Sequence, residues 1–446
     1  MDGKIMSKMK NSGIHNNRSY SGKSNAGRGE KYISLFYGGL LLLFTGVIYS
    51  WSIFVAPLEL EFGWDRSQTS VVFVLSMAGY NMGSMISGVI ICRYSHRITL
   101  SISAVLLLLG FLGASRLDSL MEIYVFYGVI CGLGIGIAYN TVVSTVLTWF
   151  PDDTGTVSGL LLAGYGISSF LLGPVINWML YEGAGWRDTF DIMGWMFCGL
   201  ILGACVIIRK PPAAQWIAKD SEGEGKEISP GQMLRRQSFY LFFGWLICIG
   251  SIGLGVIGSG AVLPLDMGVN SAEAAWIAGV LSVGNAIGRL LYGRLCDRKG
   301  RSFGMGTAAV SAGIASLGLL SAQLLGNSVV LTGAYLFIGL AYGSLPVLIT
   351  YFCTRQYGTR YRSINLGILN ANGMVTSVLG SWGSGALYER TGSYTAAFCV
   401  MIGISILALV LWKMVNQELK KENRYGTDKD TVRWKKEDGV SGWNDI

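Results

Sequence analysis

The sequence predicts an all-α membrane protein of about twelve transmembrane helices, arranged as two six-helix halves. Composition is the first reason: the chain is 51% hydrophobic and 14% charged, with a mean hydropathy of +0.46, whereas soluble domains carry roughly a quarter charged residues. Length is the second, because roughly 380 residues between Tyr32 and Lys413 leave room for about twelve crossings of about 20 apolar residues each. The third is a one-sided distribution of Lys and Arg over successive turns.

Apolar windows broken at charges, prolines and polar turns place the first six spans at 33–57, 68–92, 98–115, 120–148, 155–180 and 188–208. The stretch 209–236 carries Pro211, Pro212 and ten charges, too polar to cross a bilayer, and reads as a cytosolic linker. The second six spans follow at 237–264, 272–295, 302–323, 328–352, 364–388 and 393–413. The halves are then 32–208 and 237–415, flanked by polar, tail-like segments at 1–31 and 416–446.

With the amino terminus in the cytosol, the turns on that side carry about fifteen Lys and Arg, among them Arg93, Arg97, Arg355, Arg360 and Arg362. The opposite turns carry about four: Arg66, Arg116, Arg187 and Arg390. This asymmetry predicts both termini inside. The first 31 residues show no short apolar core followed by a small-residue cleavage site. Together with the short loops, this points to a prokaryotic inner (plasma) membrane.

The net charge of +8 does not indicate nucleic acid, since the basic residues are scattered through turns and tails and form no single face. Eight cysteines fall in or at the ends of apolar segments with no CxxC pair, which predicts neither disulfides nor a metal site. An enzyme would need paired acids, a His cluster or a nucleophile with a base inside the spans. The spans hold no buried carboxylate, and His15 and His96 fall in a tail and a turn. The expected partners are the bilayer and a small molecule, with no cofactor, and a monomer is expected.

Many of the 62 glycines sit inside spans at close spacing, as in Gly79/Gly83, Gly132/Gly134/Gly136, Gly155/Gly159, Gly284/Gly288 and Gly339/Gly343. Small faces let helix backbones approach closely in lipid. The turn after the eighth span reads GRLLYGRLCDRKGRS, and its counterpart after the second reads GVIICRYSHRITL, matching in position and basic character but lacking the Asp and the last Gly.

Gly293, Asp297, Arg298, Gly300 and Arg301 match the G-x-x-x-D-R-x-G-R/K pattern, and in this the chain resembles the major facilitator superfamily. The resemblance implies a gate at this turn, in which the aspartate and arginines pair across helix ends and cap a neighbouring helix. The stretches YSWSIFVAPLELEFGWDRSQTS, GLGIGIAYNTVVSTVLTWFPDDTGTVSGLLLAGYGISSFLLGP, GNAIGRLLYGRLCDRKGR and NLGILNANG look like the oxalate:formate antiporter family and its monocarboxylate-porter relatives. What this implies is a secondary transporter of small organic anions working by alternating access.

Arg289 is the one Lys, Arg, Asp or Glu well inside any span, and intramembrane charge usually marks a pathway or a partner. Its guanidinium is permanently charged and presents a planar fork to a carboxylate. Arg289 also lies one turn from Gly293, so snorkelling to the cytosol is the competing role. The resemblance favours the site, because carriers of this group place a substrate-binding arginine here. It also implies a cavity lined by the first, fourth, fifth, seventh, eighth, tenth and eleventh spans.

Two departures bear on the substrate. The lysine of the oxalate carrier's eleventh span is replaced by Asn372 or Gly373, and the aspartate that animal-type monocarboxylate porters carry one turn before the arginine is Asn285 here. One cation suits one carboxylate, and the missing acid favours anion exchange over proton coupling. Neutral groups that could complete the pocket are Tyr49, Asn81, Tyr139, Asn140, Tyr165, Tyr342, Asn370 and Asn372, although interhelical hydrogen bonding is the commoner role of such residues. Trp51 could cap the substrate's apolar end, and Gly173-Pro174 reads first as a kink in the fifth span. The alternatives are a transporter-like anion sensor and an oxalate/formate exchanger.

Overall fold

The computed structural model describes residues 23–183, 185–211, 227–258, 260 and 262–437, which are helical apart from short turns and contain no strand. The remaining parts of the expected tails and linker, 1–22, 212–226 and 438–446, lie outside the described residues. The first span runs from Lys23–Thr45 through a 3-10 turn, Gly46–Ser50, into Trp51–Phe62. The second, third, fifth and sixth are Arg66–Arg93, His96–Ser115, Thr154–Tyr181 and Gly185–Ile207. The fourth joins Leu120–Ile123, a π-helical stretch Tyr124–Cys131 and Gly132–Val146.

The seventh span, Gln237–Ile257, is followed by a short helix, Val262–Asp266. Ser271–Leu325 contains 55 residues, about 80 Å of helix and far more than a bilayer needs. Gly300, at φ 78° and ψ 169°, reverses the chain there and divides it into the eighth and ninth spans. The tenth span is Ser328–Tyr357. The eleventh is broken into Arg362–Asn370, Asn372–Ser377, a π turn Val378–Trp382, and Gly383–Thr391. Ten described helices are long and apolar enough to cross a membrane. The helix through Gly300 counts twice and the broken eleventh adds one more, which gives twelve.

Sequence-local caps set several of these ends. Ser95 Oγ accepts from Ile98 N at 3.2 Å, Asn270 Oδ1 from Glu273 N at 3.0 Å, and Asn327 Oδ1 from Val329 N at 2.9 Å. The fifth span starts without a side-chain cap of its own and continues unbroken through Pro174. The twelfth span does not stop near residue 413 but stays helical from Thr395 to Glu437. Leu419 is fully buried and Glu422 pairs with Arg236 at 2.9 Å, so packing against the seventh span carries the helix into the expected tail. At the other end of the chain the first helix begins at Lys23, inside the segment read as tail.

Large apolar side chains such as Phe36, Trp195, Val206, Leu324, Val400 and Leu407 are exposed on the outside of the bundle, a surface matched to lipid. Inside, glycine faces bring backbones into contact. A methyl group on Gly132 would lie 2.6 Å from the Ser76 carbonyl oxygen, and one on Gly288 would lie 2.6 Å from that of Leu340. The fifth span packs along the eighth, and the second along the eleventh, joining the halves.

Candidate functional site

Among the described residues, a set of hydrogen bonds crosses between the halves at the end of the bundle that carries the linker. Asp297 Oδ1 accepts from Gly155 N at 3.0 Å and Oδ2 from Thr156 N at 2.5 Å. The aspartate of the gate turn therefore supplies, from the other half, the cap that the fifth span lacks. Gly155 and Gly293 permit this approach, since a methyl group on Gly155 would sit 2.7 Å from the Gly293 carbonyl oxygen. Arg355 Nη2 donates to the Asp152 carbonyl at 3.0 Å, and Asn140 Nδ2 donates to that of Ser363 at 3.1 Å.

The other residues expected to form the gate divide. Arg301 stays within its own half, donating to Gln356 Oε1 at 3.2 Å, and burial holds its guanidinium below its usual pKa, opposed by Tyr351 and Glu422. Arg298 is exposed, and Gly300 supplies the turn. A further cross-half contact comes from Arg362, which sequence reading leaves among the basic turn residues. It is 2% exposed, donates from Nη2 to the Ser144 carbonyl at 2.8 Å, and leaves Nε and Nη1 buried without a partner among the described residues.

Behind this closed end lies a cavity of about 70 Å³, measured to the centres of water-sized spheres, room for several waters or one small anion. Arg289 lines it together with Tyr49, Asn81, Tyr139, Tyr165, Tyr342, Asn370 and Asn372, all expected from the sequence. Arg289 is 2% exposed and does not snorkel. Nε donates to Asn285 Oδ1 at 3.1 Å, Nη1 to the Leu162 carbonyl at 2.6 Å, and the guanidinium carbon lies 5.5 Å from the centre of the Tyr165 ring. Nη2 has no protein acceptor and no carboxylate pairs with the group among the described residues. Gly166 makes room for it, since a methyl group there would lie 3.0 Å from Arg289 Nε.

Four tyrosines pack edge to face beside the arginine, with Tyr139 and Tyr165 at 5.3 Å, Tyr49 and Tyr165 at 5.5 Å and Tyr80 and Tyr139 at 5.3 Å between ring centres. The Tyr165 hydroxyl is buried without a partner among the described residues. Tyr80 lines the cavity and was missed by sequence reading, although a tyrosine next to Asn81 in mid-span carries the same signal as those chosen.

Other expected residues lie elsewhere. Asn285 stands behind Arg289 and positions it. Asn140 is occupied at the closed end by Ser84, Ser87 and Ser363. Trp51 does not reach the cavity, because its indole donates to the Thr69 carbonyl at 2.9 Å and its ring packs 4.7 Å from that of Tyr127. The seventh span contributes no lining residue. Its Gly253 instead receives the Tyr342 ring, which crosses it into the cavity.

Two six-helix bundles joined by a linker, closed at one end over a central polar cavity, define a multi-pass membrane transporter. The chain belongs to the Major Facilitator Superfamily, whose sequence model matches residues 36–381 and 247–446. It is similar to the oxalate:formate antiporter of Oxalobacter formigenes, 26% identical over 417 residues, covering 89% of this chain and 94% of that one. It is also similar to the human monocarboxylate transporter 12, 25% identical over 392 residues, covering 80% of this chain and 74% of the relative. The proton:xylose symporter XylE shares the fold, with a TM-score of 0.67 at 17% identity over 88% of this chain and 96% of that one.

Proposed function

We propose that the protein exchanges small monocarboxylates across the plasma membrane by alternating access, with Arg289 as the fixed counter-charge of the substrate. The observation that carries this reading is a buried guanidinium without a protein carboxylate, facing a small cavity. A permanent charge buried among neutral groups inside the membrane is costly unless an anion joins it. Nη2 and the Tyr165 hydroxyl offer that anion two donors, a geometry suited to one carboxylate.

No second cation lines the cavity: the eleventh span brings Asn370, Asn372, Gly373 and Thr376. This supports a monoanion over a dianion such as oxalate. Nor does an Asp, Glu or His line it, which supports exchange of one anion for another over proton coupling. With the linker and both termini in the cytosol, as the Lys and Arg asymmetry supports, the described state is closed to the cytosol and must break the Asp297, Arg355 and Arg362 contacts to release its substrate there. The names of the relatives, an oxalate:formate antiporter and a monocarboxylate transporter, agree with this class of substrate.

Counterflow of labelled formate, acetate, lactate or pyruvate into preloaded proteoliposomes tests the proposal. Saturable exchange of at least one monocarboxylate, faster than that of oxalate, is expected. No exchange of any of them, in vesicles containing folded protein, would end it.

A further inference from the structure

A second polar hollow lies at the linker end, outside the central cavity, between the turn joining the eighth and ninth spans and the ends of the tenth and twelfth. It measures about 640 Å³ to the centres of water-sized spheres and is lined by Lys299, Arg301, Arg355 and Lys420, with Tyr351 and Asn416 between them. No carboxylate is among its lining residues. The neighbouring acids are engaged elsewhere: Glu422 accepts from Arg236 at 2.9 Å and Gln356 at 3.4 Å, and Asp297 holds the amides of Gly155 and Thr156. Among the described residues the cations touch only neutral groups, and the one carboxylate that acts on them is Glu422, which faces Arg301 from a distance while bound to Arg236. Arg301 reaches Gln356, Arg355 reaches the Asp152 carbonyl, and Lys299 lies 4.4 Å from the centre of the Phe303 ring. Arg301 Nε is buried with no acceptor among the described residues.

Four like charges around one hollow repel one another unless an anion fills it. A monocarboxylate would leave most of that charge uncancelled, whereas a phosphate group offers several acceptor oxygens to two arginine forks and two ammonium groups. We propose that this hollow binds a phosphate group, carried by an anionic phospholipid or free in solution. The place is suited to a headgroup, since basic hollows between helix ends at the membrane surface take anionic lipids. Binding there ties the gate turn to the tenth span, whose Arg355 reaches across to the first half. Occupancy therefore favours the state closed at the linker end.

Thermal unfolding of the full chain, purified in detergent, reads the binding directly. Dioctanoyl phosphatidylglycerol at saturation should raise Tm by about 2 to 4 °C, and dioctanoyl phosphatidylcholine should not. The rise should vanish in Lys299→Ala with Lys420→Ala and fall partway in Lys420→Gln, whose surface position leaves folding intact. It should persist in Arg93→Ala with Arg97→Ala, which removes two exposed cations from the corresponding turn of the first half. Inorganic phosphate separates the sources: a rise with phosphatidylglycerol alone assigns a lipid headgroup, and an equal, variant-sensitive rise with phosphate assigns the free anion. No rise with either, an undiminished rise in the Lys299 and Lys420 variant, or equal loss in the Arg93 and Arg97 variant overturns the proposal.

Discussion

The Asp297 carboxylate and the Gly155 amide, 3.0 Å apart, belong to opposite halves of the molecule. Their hydrogen bond makes the start of the fifth span depend on the eighth. A helix that brings no side-chain cap of its own is completed only when the two halves close, so the capping energy is available in one state and lost in the other. Such a cap contributes about 1 kcal/mol, enough to shift a two-state ratio about fivefold.

Asp297→Asn should therefore open the linker end. Spin labels at positions 93 and 294, both exposed at that end, would report a larger population at long distance in the variant. An unchanged distance distribution would mean that Asp297 does not hold the closed state.

Glycine spacing on the fifth span makes a second prediction. A methyl group at Gly159 would overlap the Arg289 carbonyl oxygen, while Gly199 has nothing within 4 Å. Gly159→Ala should cut exchange by roughly tenfold or more by forcing the fifth and eighth spans apart, a clash of a size that usually costs about 1 to 3 kcal/mol. Gly199→Ala should exchange at the normal rate. Equal effects at the two positions would show that close approach is not what Gly159 provides.

Arg362 leaves two donors buried without partners among the described residues and holds the Ser144 carbonyl across the halves. Arg362→Gln removes a buried charge and the cross-half bond together. The expected result is a lower exchange rate with KM little changed, because Arg362 is not among the residues that line the cavity. A KM increase with normal turnover would instead place Arg362 on the substrate.

Asn285 accepts the Arg289 Nε hydrogen bond at 3.1 Å, so Asn285→Asp would place a carboxylate where a neutral amide now stands. An ionised Asp would compete with the substrate for the guanidinium, raising KM at neutral pH, and its protonation on acidification would release the arginine and lower KM again. The measurement is KM against pH in both proteins, with pH dependence expected to appear in the variant. Parallel profiles would argue against Asn285 as the group that positions Arg289.

Most of the fold was legible because bilayer crossing writes a strong signal: apolar length, basic turns and Gly faces gave spans whose ends match the helices to within a few residues for the second, third, fifth and sixth. The broken eleventh span and the extended twelfth were not, since π turns and the packing of Leu419 and Glu422 depend on neighbours remote in sequence. In the site, Arg289 stood out because charge inside a span is rare. Tyrosines, asparagines and Trp51 gave a weaker signal: Tyr49, Tyr139, Tyr165 and Tyr342 reach the cavity, while Asn140 and Trp51 face other partners. Arg362 was hidden for the opposite reason, since a basic residue in a turn reads as solvated whether or not the other half covers it.

The most direct test is the substrate affinity of Arg289→Ala and Arg289→Lys in proteoliposomes, with insertion and folding verified. If Arg289 is the substrate's counter-charge, Arg289→Ala abolishes monocarboxylate exchange, and Arg289→Lys, which keeps the charge but loses the fork, retains a small fraction of it with a raised KM. Exchange by Arg289→Ala at the unaltered rate and affinity would contradict the account.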